Sequence, residues 1–271
     1  MDKISVVIPC FNHGRFIDEA IKSIKLDVYT DIFELIVVDD GSTDLDTIKK
    51  IAEIESRGIK VIRQSNKGLG ASRNKGVSVS TGKYILPLDC DNLIVPEVFI
   101  EARQIMEANE KISIIYTNVH LFGDKDGDKL IPEFNIRKLI MGNYIDACAL
   151  IRKDVFMNYG GYAEDMPYMG HEDWELWIRL GLKNINFKHL DKFGFWYRVR
   201  KDSMLATETK PGKLKNWQYI YSKYSDEMKD IIAEEFYELV RYKNKNERYL
   251  YSLKSSKFKL IFKILIGRLT N

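Results

Sequence analysis

Short apolar runs alternate with amphipathic stretches through the first 90 residues. Residues 4–8 (ISVVI) and 33–38 (FELIVV) are rich in β-branched residues, which is typical of buried parallel strands. Between them, apolar residues recur at the spacing of one helix face: Ile17, Ala20, Ile21 and Ile24. Further strands are predicted at 60–63 and 84–88, and further helices near 48–52 and 70–80. This alternation predicts an α/β fold with a doubly wound, mainly parallel sheet.

The pattern changes after about residue 112. Strands are predicted over 112–122 and 144–151, surrounded by loops rich in glycine and tyrosine, such as 158–162 and 166–170. Loops of that kind favour a binding region over a packed layer. Beyond about Lys213 the pattern is helical, with two apolar stripes: Leu214, Trp217, Tyr221 and Tyr224, then Met228, Ile232, Phe236 and Leu239.

Composition narrows the class of protein. The chain has 271 residues, of which 45% are apolar and 30% charged, as in ordinary globular proteins. Cysteines at positions 10, 90 and 148 form neither a disulfide framework nor a paired zinc motif, so we expect a cytoplasmic protein. Pro9 breaks the first apolar run, which predicts a strand and not a signal peptide. No run approaches the ~18 apolar residues of a membrane-spanning helix.

Positive charge is concentrated at the C-terminus. Residues 241–271 contain nine Lys or Arg and one acid, a net charge of +8 that leaves −5 for residues 1–240. Within 254–269, apolar residues share one helical face: Phe258, Ile261, Phe262, Leu265 and Leu269. That face suits either peripheral contact with the inner face of an anionic membrane or packing against the body or another subunit, so an oligomer is possible. Nucleic-acid binding is not expected, because no matching fold motif accompanies the charge.

Acidic residues follow two of the predicted strands. Asp39 and Asp40 end the second strand, and Asp89 and Asp91 follow the fourth as Asp-x-Asp. Carboxylates at the carboxyl edge of a parallel sheet suit Mg²⁺ or Mn²⁺. Aspartate is also an ordinary turn residue, so either a metal site or a surface turn explains the pair.

A second acidic pair, Glu172 and Asp173, begins a predicted helix. Acids in a first helical turn complement the helix dipole, so capping is sufficient to explain them. A carboxylate there could also act as a general base. Trp174 and Trp177 are predicted core residues.

Taken in order, several segments resemble family-2 glycosyltransferases, the inverting, nucleotide-sugar-dependent enzymes of the GT-A fold. The segments are VVIPCFN at 6–12, IVVDDGSTD at 36–44, NKGLGASRNKG at 66–76, the Asp-x-Asp, and HEDW at 171–174 after YGGY. The resemblance covers about 4–205. It implies a GT-A (Rossmann-like) domain over 1–212, with a mixed, mostly parallel sheet flanked by helices. The nucleotide-binding half would be 1–110, the acceptor half 111–212, and a helical basic extension 213–271.

The resemblance also implies residue roles on the donor side. Pro9 and Asp40 match positions that contact the nucleoside, with the Asp40 carboxylate toward the base and Asp39 supporting the ribose. Arg73 matches a basic residue near the nucleotide. Asp89 matches an acid that contacts ribose or metal.

The metal and acceptor side follow from the same resemblance. Asp91 matches the acid that binds Mn²⁺ or Mg²⁺, Asp173 the general base that deprotonates the acceptor hydroxyl, and Glu172 a residue orienting the acceptor or the helix start. One position departs from the family pattern. Arg200 stands where the family usually has histidine, and we expect it to contact the diphosphate, because a guanidinium cannot bind a cation.

The expected function is transfer of a sugar from a nucleotide donor, a UDP-sugar, to a hydroxyl of a surface glycan (capsule or lipopolysaccharide) or a lipid-linked saccharide. The alternative is a catalytically inactive subunit that binds a nucleotide or glycan. A nicotinamide-dependent dehydrogenase is disfavoured, since GLGASR at 68–73 has Arg73 in place of the third glycine and follows the third strand.

Overall fold

A computed structural model describes residues 2–203 and 210–245 of the chain. The chain divides into two compact units, Met1–Tyr224 and Ser225–Asn271, and the described part of the second is a single helix. The domain boundary predicted between 212 and 213 stays a prediction. The predicted membrane or packing segment, 254–269, lies outside the described residues.

The first unit is built on nine strands and eight helices in the described residues. The strands are β1 Ile4–Cys10, β2 Phe33–Asp39, β3 Lys60–Arg63, β4 Tyr84–Pro87, β5 Leu93–Ile94, β6 Ile112–Gly123, β7 Gly127–Lys129, β8 Leu150–Arg152 and β9 Asn186–Val199. The helices are α1 Gly14–Ser23, α2 Leu45–Ser56, α3 Leu69–Ser78, α4 Pro96–Ala108, α5 Ile136–Met141, α6 Lys153–Asn158, α7 Glu172–Leu182 and α8 Lys210–Lys223; α9, Ser225–Lys245, lies in the second unit.

All nine strands form one mixed, mostly parallel sheet in the order β3-β2-β1-β4-β8-β6-β9-β5, with β7 paired to β6. Strand β1 is parallel to both β2 and β4, with Ile4 opposite Phe33 and Tyr84. Strand β8 is antiparallel to β4 and β6, so β6 runs in the same direction as β4, and β9 is parallel to β6. The carboxyl ends of β1, β2, β4 and β9 therefore share one edge of the sheet.

The central strand and the second acidic segment show why the core forms here. Every residue of β1 is buried, as expected for a strand with neighbours on both sides and helices over the sheet. In α7, Trp174 and Trp177 are buried, and their indole N–H groups donate to the backbone oxygens of Leu139 and Ile145. Their prediction as core residues is confirmed, and they fix the helix that carries Glu172 and Asp173.

Two predictions for the second half were wrong, and one strand was not predicted. The segment 144–151 is mostly loop, because the side-chain oxygens of Asn143 and Asp146 accept from the backbone N–H groups of Ile145 and Cys148 and replace strand pairing. Only Leu150–Arg152 joins the sheet there. Strand β9, one of the longest, was not predicted. Leu214 belongs to no buried stripe, since it is 47% exposed, whereas Trp217, Tyr221 and Tyr224 are buried.

Helix α8 holds the glycine-containing loop that precedes α7. Asn216 is fully buried, and its side chain accepts from the N–H of Tyr168 at 2.9 Å and donates to the Tyr168 carbonyl at 2.8 Å. Gly212 lies against the ring of Tyr168, so close that a Cβ would be 2.2 Å from Cγ. Tyr219 donates to Asp165 at 2.6 Å. The loop conformation therefore depends on this helix.

Replacing Asn216 should show that dependence. In Asn216→Leu the Tyr168 backbone groups lose both partners inside the protein, so we expect the free energy of unfolding to fall by about 2 kcal/mol. Urea unfolding measures the change, with Gln218→Leu on the exposed side of the same helix as the control. Equal stability of the two variants would contradict a stabilising role for the Asn216–Tyr168 hydrogen bonds.

No helix in the described part of the chain is long and apolar enough to cross a membrane.

Candidate active site

The shared edge of the parallel strands gathers the chemically active side chains. Strand β1 ends at Cys10, β2 at Asp39, β4 two residues before Asp89, and β9 one residue before Arg200. Pro9, in β1, is buried and lies opposite Val38 of β2. Because parallel strands bring their carboxyl ends together, residues far apart in sequence meet at one crevice edge.

Asp40 organises the loop that leads into α3. Its Oδ1 accepts from the Lys67 N–H at 2.9 Å and from Gln64 Nε2 at 2.7 Å, and its Oδ2 accepts from the Gly68 N–H at 2.8 Å. The same Gln64 amide donates to Ser72, the neighbour of Arg73, at 3.2 Å. Both Asp40 oxygens are thus already bonded to the loop, which ties Asp40 to the start of α3.

Asp39 shapes the turn after β2. Its Oδ1 accepts from the Ser42 N–H at 3.0 Å, and Gly41 between them has a φ of +74°. A Cβ at Gly41 would lie 2.7 Å from the backbone nitrogen of Asn66, so only glycine fits this turn. The motif at 36–44 therefore sets the walls of the site as well as its acids.

Arg73 joins the two acidic pairs. Its Nη2 donates to Asp89 Oδ1 at 2.6 Å and its Nη1 to Glu172 Oε1 at 2.8 Å, and the side chain is only 2% exposed. Burial alone would lower the pKa of Arg73, but Asp89, Tyr162 and Glu172 outweigh it and raise that pKa. The guanidinium stays charged and connects the end of β4 to the start of α7, although 99 residues separate Arg73 from Glu172.

Glu172 orients the start of α7. Its second oxygen accepts from the N–H groups of Gly170 at 2.8 Å and His171 at 3.1 Å. Its carboxylate is buried and bonded on both oxygens. These contacts place Glu172 at the start of the helix, where it fixes the backbone of residues 170 and 171.

Among the acids of this site, Asp173 has the most strongly raised pKa. Its Oδ1 accepts from the Trp174 N–H at 2.7 Å and its Oδ2 from Asn143 Nδ2 at 2.9 Å. Burial, reinforced by Glu172 and Asp146 and partly offset by Arg73, raises the pKa of Asp173 to about 7. A carboxyl group with such a pKa is a stronger base than an ordinary aspartate and is poised near neutral pH.

Asp91 faces a guanidinium. Its Oδ2 lies 3.2 Å from Nε of Arg200, whose side chain is 11% exposed. The pair is an ion contact without hydrogen-bond geometry, and Nε and Nη1 of Arg200 are buried without a hydrogen-bond partner. Burial and Asp89 raise the pKa of Asp91 to about 6 against the opposing effect of Arg200.

Sequence reasoning missed the residues of the loop 143–148. Asn143 holds Asp173, and Asp146 is a further half-buried carboxyl whose pKa burial and Asp89 raise to about 6. The segment was predicted as a strand, which would have separated these side chains. Asn-x-x-Asp before a small-residue run was the only available signal, and it is a weak one.

Two tyrosines complete the site. The hydroxyl of Tyr162 is buried without a hydrogen-bond partner, and the Arg73 guanidinium lies 5.3 Å from its ring. Burial raises the pKa of Tyr197, and four carboxylates in its surroundings raise it further: Asp146, Asp89, Asp91 and Asp173. The environment of Tyr197 therefore brings four acids from three separate chain segments around one side chain.

The acids suit a cation held jointly with a diphosphate. Among residues 2–203 and 210–245, no three His, Cys, Asp or Glu side chains form a group that could hold a metal ion alone. Mg²⁺ commonly takes one or two carboxylates and completes its shell with phosphate oxygens and water. Asp91, with Asp89 nearby, fits that donor set, and the unpartnered Arg200 N–H groups fit an anion beside it.

Named relatives share most of this chain. An uncharacterised glycosyltransferase of Methanocaldococcus jannaschii is 28% identical over 240 residues, 83% of this chain and 79% of the relative. The Escherichia coli UDP-Glc:alpha-D-GlcNAc-diphosphoundecaprenol beta-1,3-glucosyltransferase WfaP is 28% identical over 216 residues, 78% of this chain and 82% of the relative. A Rickettsia conorii glycosyltransferase is longer: it is 32% identical over 190 residues, and this chain covers 30% of it.

Solved structures confirm the predicted GT-A fold class. S. aureus TarS 1–349 in complex with UDP-GlcNAc superposes with a TM-score of 0.64 at 22% identity, over 76% of this chain and 61% of TarS 1–349. The family described as Glycosyl transferase family 2 matches residues 5–160, more than half of the chain. The predicted family and enzyme class are thereby confirmed: this chain belongs to glycosyl transferase family 2.

Proposed function

We propose that the protein transfers a sugar from a UDP-sugar to a hydroxyl of a saccharide or lipid-linked saccharide, with inversion at the anomeric carbon. The observation that carries this proposal is the bridge from Asp89 through Arg73 to Glu172. It sets the donor-side acids a fixed distance from Asp173, the next residue along α7. A single displacement needs that arrangement, with leaving group and base at two ends of one cleft.

On the donor side, the loop around Asp40 and the end of β1 at Pro9 would receive the nucleoside, with Asp39 beside the ribose. The bonds of Asp40 to the Lys67 and Gly68 N–H groups hold the loop in place before the donor arrives. A UDP-sugar is supported by relatives: TarS was solved with UDP-GlcNAc, and the name of WfaP gives UDP-Glc as its donor.

The leaving diphosphate gains negative charge as the glycosidic bond breaks. Asp91 and Asp89 would hold Mn²⁺ or Mg²⁺, which when bound supplies Lewis-acid stabilisation of that charge. Arg200 would meet the same diphosphate through its free N–H groups. Arg73 keeps Asp89 in position, and these groups bind the leaving group more strongly in the transition state than in the ground state.

Asp173 would remove the acceptor proton. Asn143 holds one carboxylate oxygen, and the Trp174 N–H holds the other, so each keeps a lone pair for the incoming hydroxyl. Glu172 fixes the helix start and thereby the position of the base. Attack from the side opposite the diphosphate inverts the anomeric centre without a covalent enzyme intermediate.

The acceptor class rests on the loops that face α7. Half-buried Asp146 and the half-buried Tyr197 of β9 would offer hydrogen-bonding groups to a polyhydroxylated ligand. The name of WfaP places a lipid-linked diphosphate saccharide on the acceptor side of that relative. A lipid-linked acceptor would make contact of 254–269 with a membrane useful to the reaction.

A donor screen tests the proposal. A panel of UDP-, GDP- and dTDP-sugars is incubated with Mn²⁺, lipid-linked and free saccharide acceptors, and the wild type, Asp91→Asn or Asp173→Asn. We expect turnover with a UDP-sugar that both substitutions remove, with inverted configuration by NMR. UDP binding without turnover of any donor would favour the inactive binding subunit instead. Full activity in either variant would remove the role given to that residue.

The pH dependence follows from Asp173. A base must be ionised, and because its pKa is raised to about 7, kcat/KM should fall about tenfold for each pH unit below that value. An ordinary aspartate would leave the rate flat down to about pH 4. Rates from pH 5 to 9 with saturating Mn²⁺ measure the profile. Asn143→Ala, which removes one bond to the ionised form, should shift the midpoint upward; an unmoved midpoint would separate Asn143 from the base.

A further inference from the structure

Arg200 is a largely buried cationic side chain whose hydrogen bonds are incomplete. Nε contacts Asp91 at 3.2 Å and Asp202 at 3.8 Å, and Nη2 lies 3.5 Å from His13 Nε2. The guanidinium carbon Cζ lies over the Phe16 ring, 4.8 Å from its centroid. Nε and Nη1 are buried without a hydrogen-bond partner. Leaving such donors unsatisfied is costly, so the arrangement suits an anionic ligand.

The same position obstructs a cation. A divalent ion on Asp91 Oδ2 would share that oxygen with a guanidinium nitrogen 3.2 Å away, and two positive charges so close repel each other. The exposed carboxylate of Asp202 is the remaining acid contact that Arg200 makes in the described structure, and it is farther away. Without a new anion, moving Arg200 off Asp91 leaves a largely buried charge poorly paired, which opposes cation binding.

We propose that Arg200 is an internal counter-ion of Asp91 which a nucleoside diphosphate draws away, so that the diphosphate and a divalent cation bind cooperatively. This rests on the proposed function, because it takes the diphosphate of the donor as the ligand. The diphosphate oxygens accept hydrogen bonds from the unpartnered N–H groups of Arg200. Arg200 then no longer neutralises Asp91, whose carboxylate becomes available to the cation. The cation then screens the diphosphate from the acids.

Charge balance supports the same coupling. The connected acids Asp89, Asp91 and Glu172 face two guanidiniums, those of Arg73 and Arg200. A diphosphate entering alone adds negative charge next to three carboxylates, and a cation entering alone meets Arg200. When the diphosphate and the cation enter together, their charges largely cancel, so the net charge of the site changes little. Each ligand therefore favours the other, and linkage requires the two effects to be equal.

Calorimetry with UDP and Mn²⁺ as probes, backed by electron paramagnetic resonance of free Mn²⁺, tests this on the full-length protein. In the wild type we expect UDP to tighten Mn²⁺ binding at least about tenfold, and Mn²⁺ to tighten UDP binding by the same factor. In Arg200→Gln, Mn²⁺ alone should bind more tightly than in the wild type, UDP alone more weakly, and the coupling factor should fall toward one. Arg57→Gln, at an exposed arginine directly after α2, is the matched control.

Asp91→Asn gives a second test with the opposite sign. Arg200 then has only the more distant, exposed Asp202 as a counter-ion, so UDP without Mn²⁺ should bind several-fold more tightly than to the wild type. The counter-ion role is wrong if UDP does not change the affinity of the wild type for Mn²⁺, or if both variants keep the full coupling between UDP and Mn²⁺. Neither result would contradict the binding of UDP itself. If UDP fails to bind the wild type with or without Mn²⁺, the proposed function fails as well. Circular dichroism checks that each variant is folded.

Discussion

Asp173→Asn should lower sugar transfer by about 1,000-fold, since a positioned general base contributes about 10²–10⁴ in rate. The amide keeps the size of the side chain and can still accept one bond, so donor binding should be unaffected. Initial rates with saturating donor and acceptor measure the loss. UDP affinity, measured separately, should match that of the wild type; a parallel loss of affinity would mean that Asp173 supports the donor site and does not act as the base.

The same substitution should stabilise the protein at alkaline pH. A carboxyl whose pKa is raised from 3.8 to about 7 on folding binds its proton more tightly in the folded state. Its contribution to stability is present below the unfolded pKa and is lost as pH rises toward 7. Removing the charge should therefore add about 2 kcal/mol to the free energy of unfolding at pH 8, allowing for partial exposure of the side chain, and much less at pH 5.

Urea unfolding at the two pH values measures this difference. Asp154→Asn, at an exposed acid in α6, controls for loss of one negative charge. Stabilisation that is equal at pH 5 and pH 8 would show that burial of the Asp173 charge is not its cause. Loss of activity combined with gain of stability would identify a residue kept for function at the expense of the fold.

Arg73→Met should be the most destabilising change at the site. It leaves Glu172, which is 4% exposed, with only its two backbone donors, and it removes the partner of Asp89. Breaking a buried ion pair from one side costs about 3–5 kcal/mol, so we expect a loss near the lower end of that range. Urea unfolding gives the value, and Arg57→Met, at an exposed ion pair, serves as control.

The double variant Arg73→Met, Glu172→Gln makes the test specific. If the cost comes from an unpaired buried carboxylate, removing its charge should recover part of it, so the double variant should be more stable than the sum of the single changes predicts. Additive losses would mean that Arg73 acts through packing against Tyr162 and not through the charge bridge.

The first half of the fold was predictable because its central strands, β1, β2 and β4, are buried on both faces. Runs such as 4–8 and 33–38 have no polar alternation, and the helices between them have one apolar face, so each element carries its own pattern. The acids at strand ends follow from that order, since parallel strands must end at one edge. The same reasoning predicts that Asp39 and Asp89 lie at that edge.

The second half was less predictable because its contacts are long-range. Asn143 and Asp146 satisfy backbone groups of their own loop, and this local bonding overrides the strand propensity of 144–151. The hydrogen bond from Arg73 to Glu172 connects residues 99 positions apart, and no periodic pattern in the sequence indicates such a contact. Arg200 was recognised as unusual from the family resemblance, but its pairing with Asp91 required the geometry of β9, which was not predicted.

The two hydrogen bonds between the Asn216 side chain and the Tyr168 backbone matter for exchanging loops among relatives. A 163–171 loop grafted from another member keeps these two bonds only if its backbone presents the N–H and carbonyl of position 168 to the Asn216 side chain. The packing of Gly212 against the Tyr168 ring adds a steric requirement to the same exchange. The loop and helix α8 therefore form one structural unit, and a recombinant that takes them from different relatives should be less stable than one that takes both from the same relative.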